Sequence, residues 1–556
     1  MGPSSETAQT SGRWHYWLCL VALATLLPFL LLGFPEVALR ICRVGSPTDV
    51  TIPCNDQGRP AFCNNENFTV PFFPPGMART PRPYAIPVEK PKGTFRIFII
   101  GESAAFGDPD PTYAFGRYLE VMLRERFPGI KFEIVNTAIT ATNSHVLLPI
   151  AEDSARHQPD LFIVYAGNNE VVGPFGPGSV PTSAALFLPV IRANIFVRST
   201  RMGQLVARII HPKKQVWYGT EIFHNQAIRN DSSEMDHVYR NFAHNLQDII
   251  SVARGSGARV VLCTVATNLK DSAPFGSSHR EGLSQDSLRS WSALVDGATR
   301  WESTGGYAEA LKLYRSAAQI DDQYAELQFR MARCLWNLQD YAGAKQHFIL
   351  ARDLDTLRFR TDSKENDIIR SVAASRQGVE LVDVAEIFAQ ESQHGITGSE
   401  LFYEHVHMNP QGNYLIARSL FPLVARALPY QTPNVDSGDH IPSETECEQM
   451  LALTGYDRSR IAKLLLRRLE RPPFTTQLNY AEELRRTTAM AEDTGENWDD
   501  ISARYLWAIA KHPDDRLLRL NYAFLLNQID PYAATEQFRK ALPYDNAPVL
   551  CNWRTF

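Results

Sequence analysis

Residues 95–107 read FRIFIIGESAAFG, an almost unbroken apolar and β-branched run that ends in Gly101 and passes through Glu102 and Ser103 into two alanines. A run this short with glycine at its end fits a strand buried on both faces, as in parallel sheets. Ser103 then stands where a strand turns into a helix. Working outward, four further runs have the same character: Phe132–Ala138 (FEIVNTA), Leu161–Gly167 (LFIVYAG), Arg259–Thr264 (RVVLCT) and Val379–Val384 (VELVDV). Helical patterns lie between them. In Phe115–Phe127, for example, Tyr118, Leu119, Met122, Leu123 and Phe127 fall on one side at helical spacing. Strand and helix in alternation predict an open α/β sheet, in which a ligand crevice forms beyond the carboxyl ends of the strands. The polar residues just after each strand are therefore the candidates for function.

The fourth and fifth strands are separated by an excess of over a hundred residues, too many for a connection, so a module is inserted there. It has its own period. Tyr307, Ala310, Tyr314 and Ala317 recur as Tyr341, Ala344, Phe348 and Ala351, each 34 residues later. Small residues that let two helices approach, alternating with aromatics that fill the gap, are the pattern of tetratricopeptide repeats. A weaker echo ends the chain, where Tyr505, Ala508 and Pro513 are followed by Phe538 and Ala541. Two repeats are few for a free solenoid, so they are expected to lean on the α/β core or on a partner.

Composition narrows the class. The chain has 556 residues, 44% of them apolar, with Lys+Arg 56 against Asp+Glu 61, so it folds into globular domains and lacks the positive excess of a nucleic-acid binder. Its 8 Cys show no zinc-site spacing, and neither a metal nor another cofactor is implied. Trp17–Phe34 carries no charge and is long enough to cross most of a bilayer, with Trp14, Tyr16 and Trp17 at its start, where amphipathic rings favour the interface. An N-terminal transmembrane anchor is expected, with the globular part outside the cytoplasm; a cleaved signal and a buried helix are the alternatives. Cys54 and Cys63 are spaced for a loop-closing disulfide in an oxidising compartment, or are two free thiols. Seven prolines between Pro71 and Pro91 suggest an extended leader. The expected organisation is a tail and anchor (1–40), a Pro-rich linker (41–92), an α/β domain in two parts (93–285 and 357–430) around inserted repeats (286–356), and a C-terminal helical region (440–556).

Four blocks follow the strands in order: Gly101-Glu102-Ser103, Asn136-Thr137-Ala138, Gly167-Asn168-Asn169-Glu170 and Glu404-His405-Val406-His407-Met408-Asn409-Pro410. In these blocks the chain resembles the SGNH hydrolases, the GDSL esterase/lipase family. The resemblance implies a flavodoxin-like three-layer α/β fold around a parallel sheet, here with inserted and C-terminal tetratricopeptide-like hairpins. It also implies Ser103 as nucleophile, His407 as general base and Glu404 as its orienting carboxylate. The oxyanion hole would be formed by the backbone N–H groups of Ser103 and Ala138 and the side-chain amide of Asn169. The chain departs from the family pattern at Glu102, Glu170 and Glu404, where the family has Asp, and at Ala138, where it has Gly. At Glu404 the longer arm must fold back to reach Nδ1 of His407. His405 is the alternative base.

Each residue also has a plainer use. Ser103 and Asn169 can cap helices, Glu170 can favour a helix N-terminus, and His407 can be a loop histidine. The loop with Gly173, Pro174, Phe175 and Gly176 can line an acyl or sugar pocket, or it can be mobile or a tight structural turn. His279, after the fourth strand, is a further residue able to approach the crevice. Two functions follow: a membrane-anchored serine esterase or O-acyltransferase whose repeats bind a protein partner, or a non-catalytic protein-binding scaffold on a retained fold.

Overall fold

A computed structural model describes residues 33–74, 76–179, 187–210, 226–429, 440–492 and 495–541, with isolated positions before residue 33. Twelve of the 18 positions of the Trp17–Phe34 run lie outside the described residues. Among the described residues no helix is long and apolar enough to cross a membrane.

Two sheets organise the chain. The first is antiparallel: β1 (Thr51–Asp56), β2 (Arg59–Asn64) and β3 (Ala85–Pro87) lie in that order. The second contains β4 (Thr94–Gly101), β5 (Lys131–Asn136), β6 (Leu161–Tyr165), β7 (Arg259–Cys263) and β8 (Val379–Val382), all parallel, in the order β5-β4-β6-β7-β8. This is the flavodoxin-like order implied by the sequence blocks. The chain leaves β4 to one side for β5 and returns to the other for β6, so the switch point lies at the carboxyl end of β4.

β4 is buried at every position, as a central strand covered on both faces must be. Phe98 stacks on Phe162 of β6 at 5.7 Å, and each such fully buried ring contributes roughly 1.5–3 kcal/mol. The strand ends at Gly101 for a steric reason: a Cβ there would lie 2.4 Å from the Tyr165 carbonyl oxygen and 2.5 Å from Ala105 Cβ. A side chain would push β6 and the Ser103 turn apart.

The Pro-rich segment is not the free spacer that its composition suggests. Phe68, Phe72, Phe73 and Met77, set among the prolines, are buried in the main core, and β1–β3 fold against it. Apolar anchors decide the path, and the prolines only stiffen it. Cys54 and Cys63 form the disulfide across β1 and β2, with Cα atoms 5.8 Å apart.

The inserted module is four helices, Gln285–Ser303, Tyr307–Ile320, Ala325–Asn337 and Tyr341–Asp353. Ala310, Tyr314, Ala317, Ala344, Phe348 and Ala351 form its core, which Leu269, Ala273 and Ile396 of the α/β domain complete. The repeats do lean on the sheet domain. The C-terminal region, from Glu444–Met450 to Pro531–Ala541, is also helical, with Tyr505 and Ala508 fully buried.

Candidate active site

Ser103 opens the four-residue helix Ser103–Phe106, which Gly107 closes in the left-handed region at φ 92°. The Ser103 carbonyl accepts from the backbone N–H groups of Gly107 and Asp108, each at 3.1 Å, so the turn brings Asp108 back beside the serine. Ser103 is 9% exposed, at the mouth of the sheet's carboxyl end.

Glu102 points the other way and organises the neighbouring block. Its carboxylate accepts from the N–H of Gly167 (3.2 Å), the N–H of Asn168 (2.9 Å) and the side-chain amide of Asn169 (3.2 Å). Burial, and Glu170 nearby, push the Glu102 carboxyl well above the usual range. Glu170 accepts from the Ser144 N–H (2.8 Å) and hydroxyl (2.7 Å) at the start of helix Ser144–Ser154, and burial raises it to about 7. Glu170 therefore serves a helix N-terminus, that of the helix after β5. Asn168 is structural, accepting from the N–H (3.1 Å) and hydroxyl (3.0 Å) of Thr361. Ala138 follows β5, and its N–H donates to Asn136 Oδ1 at 3.1 Å, so that donor is already engaged.

The last block is a tight loop between Phe402 and Met408, which form an isolated bridge. Glu404 folds back within it: Oε1 accepts from the His407 N–H at 2.8 Å and lies 2.7 Å from His407 Nδ1. The extra methylene is absorbed by the loop. Glu404 also meets His405, whose ring turns into an aromatic cluster, 5.0 Å from Phe275 and 5.7 Å from Phe474. Burial lowers the His405 imidazole despite Glu404. His407 differs. Burial opposes its charge, but Glu404 and Asp108 together raise it above its ordinary value, against Arg468. Glu404, although burial disfavours its charge, is held well below the carboxylate range by the two imidazoles.

His407 Nε2 is buried without a hydrogen-bond partner, and Asp108 Oδ2 stands 3.6 Å from it. The imidazole thus faces the Ser103 turn through Asp108. Arg468, from helix Gly455–Leu469, donates to Asp108 Oδ1 at 2.8 Å and sits 3.3 Å from His407 Nδ1. Since Nδ1 is closer to Glu404, its proton belongs to that bond and the lone pair is left on Nε2. Burial works against the Asp108 charge, and Arg468 and His407 keep its carboxyl below the ordinary value.

Neither Asp108 nor Arg468 was read as a site residue. Asp108 could have been noticed, because Gly107-Asp108-Pro109 is a turn immediately after Ser103. Arg468 lies in LLLRRLER, which reads as an ordinary amphipathic helix with a solvated basic face. His279 does not approach the crevice: its Nδ1 pairs with Asp321 at 2.7 Å, and its ring packs on Trp291 at 4.5 Å within the inserted repeats. The Gly173–Gly176 loop is the tight turn. Asn143 Nδ2 donates to the Pro174 carbonyl at 2.9 Å, Phe175 is buried against His145, and a Cβ at Gly176 would meet the Val171 carbonyl oxygen at 2.2 Å. Among the described residues no group of three or more His, Cys, Asp or Glu is arranged to hold a metal ion.

Residues 304–356 match the family described as tetratricopeptide repeat. No curated protein matches the sequence. Similar solved structures include an acetyl xylan esterase, at 12% identity and TM-score 0.28, covering 59% of this chain and 100% of that one. Another is an α/β hydrolase enzyme from the metagenome of Lake Arreo, Spain, at 13% identity and TM-score 0.29, covering 60% and 97%. A third is a GDSL-like lipase from Bacteroides thetaiotaomicron, at 10% identity and TM-score 0.27, covering 62% and 93%.

Proposed function

We propose that the chain is a serine esterase or O-acyltransferase acting on a carboxylic ester, with Ser103 as nucleophile, His407 as base and Glu404 as the carboxylate that orients it. One observation carries this reading. Glu404 meets Nδ1 of His407 at 2.7 Å and Nε2 is buried and unbonded, with Asp108, whose N–H closes the turn on the Ser103 carbonyl, 3.6 Å from it. In this mechanism Nε2 takes the Ser103 proton as Oγ attacks the carbonyl carbon, and the imidazolium rests against Glu404. The first N–H groups of a helix lack intrahelical acceptors, so the Ser103 N–H is free to face the developing oxyanion. Asn169, tied to Glu102 through its amide, adds a side-chain donor. The Ala138 N–H joins only after loosening from Asn136. The intermediate collapses as His407 gives that proton to the leaving alcohol of the ester, which leaves Ser103 acylated; His407 then takes a proton from water or an acceptor alcohol as it attacks the acyl carbon, and gives it to Ser103 Oγ as the acyl group departs.

The proposal extends to place and partners. Trp17–Phe34 anchors the chain in a membrane with the globular part outside the cytoplasm, a setting that suits the Cys54–Cys63 disulfide. The tetratricopeptide repeats bind a protein partner. A second reading, a non-catalytic scaffold, is favoured by the engaged Ala138 N–H and by Asp108 facing Nε2.

The test uses the full chain in detergent. Turnover of a short-chain aryl ester and labelling by a fluorophosphonate are both expected, and Ser103→Ala is expected to lower kcat by about 10³-fold or more and to abolish labelling. Absence of Ser103-dependent turnover and labelling leaves the scaffold.

A further inference from the structure

Three helices expose apolar side chains where a water-facing surface would be polar. In Phe34–Ile41, Phe34, Val37 and Ile41 recur at helical spacing, and Ile41 is 76% exposed. Helix Arg201–Ile210 exposes Leu205, Val206, Ile209 and Ile210 on one side, with Ile209 70% exposed. Helix Leu188–Ser199 exposes Val190, Phe196 and Val197, with Phe196 73% exposed.

These helices adjoin one another and are fixed in place. Helix Arg201–Ile210 touches both of the others. Glu36 accepts from the N–H groups of Arg201 (3.1 Å) and Met202 (3.0 Å), capping that helix. On its other side Gln204 is buried and exchanges two hydrogen bonds with the Ser46 backbone, at 2.9 and 3.0 Å. Thr48 and Arg198 add bonds to the Ser199 and Phe73 carbonyls. The apolar sides are therefore held outward by a built scaffold.

Charge and chain continuity identify what covers them. Across Phe34–Arg43 and Phe187–Ile210 there are six arginines (Arg40, Arg43, Arg192, Arg198, Arg201 and Arg208) and one acid, Glu36, which caps helix Arg201–Ile210 and pairs with Arg40 at 2.8 Å. Arg192 is engaged with Asp248, Arg198 and Arg201 are half-buried, and Arg40, Arg43 and Arg208 are exposed. Apolar side chains rimmed by arginine stems suit the headgroup boundary of an anionic bilayer. The first of the three helices begins at Phe34, where the uncharged Trp17–Phe34 run ends. We propose that helices Phe34–Ile41, Leu188–Ser199 and Arg201–Ile210 form a face that lies in the interface of a membrane carrying anionic lipid. This rests on the anchoring proposed above and adds a second, monotopic contact, which fixes the domain's orientation on the bilayer rather than merely tethering it.

The test uses the full chain carrying Cys19→Ser, Cys42→Ser and Cys551→Ser, with Phe196→Cys or Ile209→Cys labelled by an environment-sensitive NBD dye. Cys263, Cys334 and Cys447 are buried and stay unlabelled. Leu506→Cys, 51% exposed on helix Trp498–Lys511, is the control. The labelled chains are reconstituted into phosphatidylcholine–phosphatidylglycerol vesicles containing a lipid nitroxide-labelled on its acyl chain. Positions 196 and 209 are expected to lose most of their emission, and position 506 none, with weaker loss at both sites when phosphatidylglycerol is omitted. Vesicle-bound protein with no quenching at 196 and 209 overturns the proposal. So does a blue shift at those sites without vesicles that grows with protein concentration, which assigns the face to a second copy of the chain. An alkaline carbonate wash reads the anchor separately. Carbonate-resistant protein unquenched at 196 and 209 sinks the face alone, and quenched protein that carbonate strips off sinks the anchor alone.

Discussion

The helices from Gln285 to Asp353 build most of one core among themselves, closed by Leu269, Ala273 and Ile396, with a polar network in which Tyr314 donates to Glu302 at 2.6 Å and Arg330 pairs with Glu302 at 3.0 Å. Those from Glu444 to Ala541 instead send charged groups into the α/β domain near the serine turn. Arg468 holds Asp108, Arg460 holds Asp110, Asp515 holds Arg117, and Arg486 donates to the Tyr403 carbonyl at 2.8 Å. Both regions are short helical hairpins with small and aromatic residues at their contacts. One is a module set on the domain, and the other is part of the wall of the candidate site. Repeat character therefore does not fix function; what matters is which side chains the repeat turns inward.

The comparison can be broken most forcefully at Asp515, whose side chain is 4% exposed. Asp515→Ala leaves Arg117 buried with only Glu120, and a loss of about 3–5 kcal/mol is expected in urea unfolding, with ester turnover lost alongside. A smaller effect is expected from Arg468→Ala, which leaves Asp108 free to approach Nε2 of His407. The expected outcome is a fall in kcat/KM of roughly ten- to hundredfold with most of the thermal stability retained. If turnover is unchanged, the C-terminal region is no part of the site.

The pH profile sharpens the same point. His407 must be neutral to accept a proton, and its pKa is raised above the ordinary 6.5, so the acid limb of kcat/KM is expected above pH 6.5. Asp108→Asn removes one of the two charges that raise it and leaves Arg468 unopposed, so the limb is expected to move to lower pH. A limb that stays in place would separate Asp108 from the base. The smallest effects come from a matched pair. Tyr505 donates to Asp457 at 2.9 Å, beside Tyr113 of the α/β domain at 3.4 Å. Tyr505→Phe and Tyr314→Phe are each expected to cost about 1 kcal/mol in denaturant titrations. Only the first is expected to change ester turnover.

Sequence reading reached different depths in different parts of the chain. β4, β6 and β7 were legible because a strand covered on both faces must be a continuous apolar run; the edge strands β5 and β8, which carry Glu133 and Glu380, were legible from their place in the alternation, and three of the four polar blocks stood directly after strands. The inserted repeats were legible from their 34-residue period. The reach of Glu404 was not, since it depends on how residues 402–408 fold back. The Pro71–Pro91 segment misled because its prolines were weighed above Phe72, Phe73 and Met77, whose burial fixes the path. Arg468 was hidden because an arginine on an amphipathic helix reads the same whether it meets water or a buried carboxylate. The outward faces of helices Leu188–Ser199 and Arg201–Ile210 were not singled out, because apolar residues at helical spacing read as ordinary core until coordinates show which side is covered.

The bond from Arg468 to Asp108 spans 360 positions, and the approach of the same guanidinium to His407 spans 61. A chain emerging from the ribosome therefore presents its serine turn long before the imidazole, and both before the guanidinium that sits between them. The candidate site is complete only when helix Gly455–Leu469 has been made, so the order of synthesis itself withholds the assembled groups from a half-translated polypeptide.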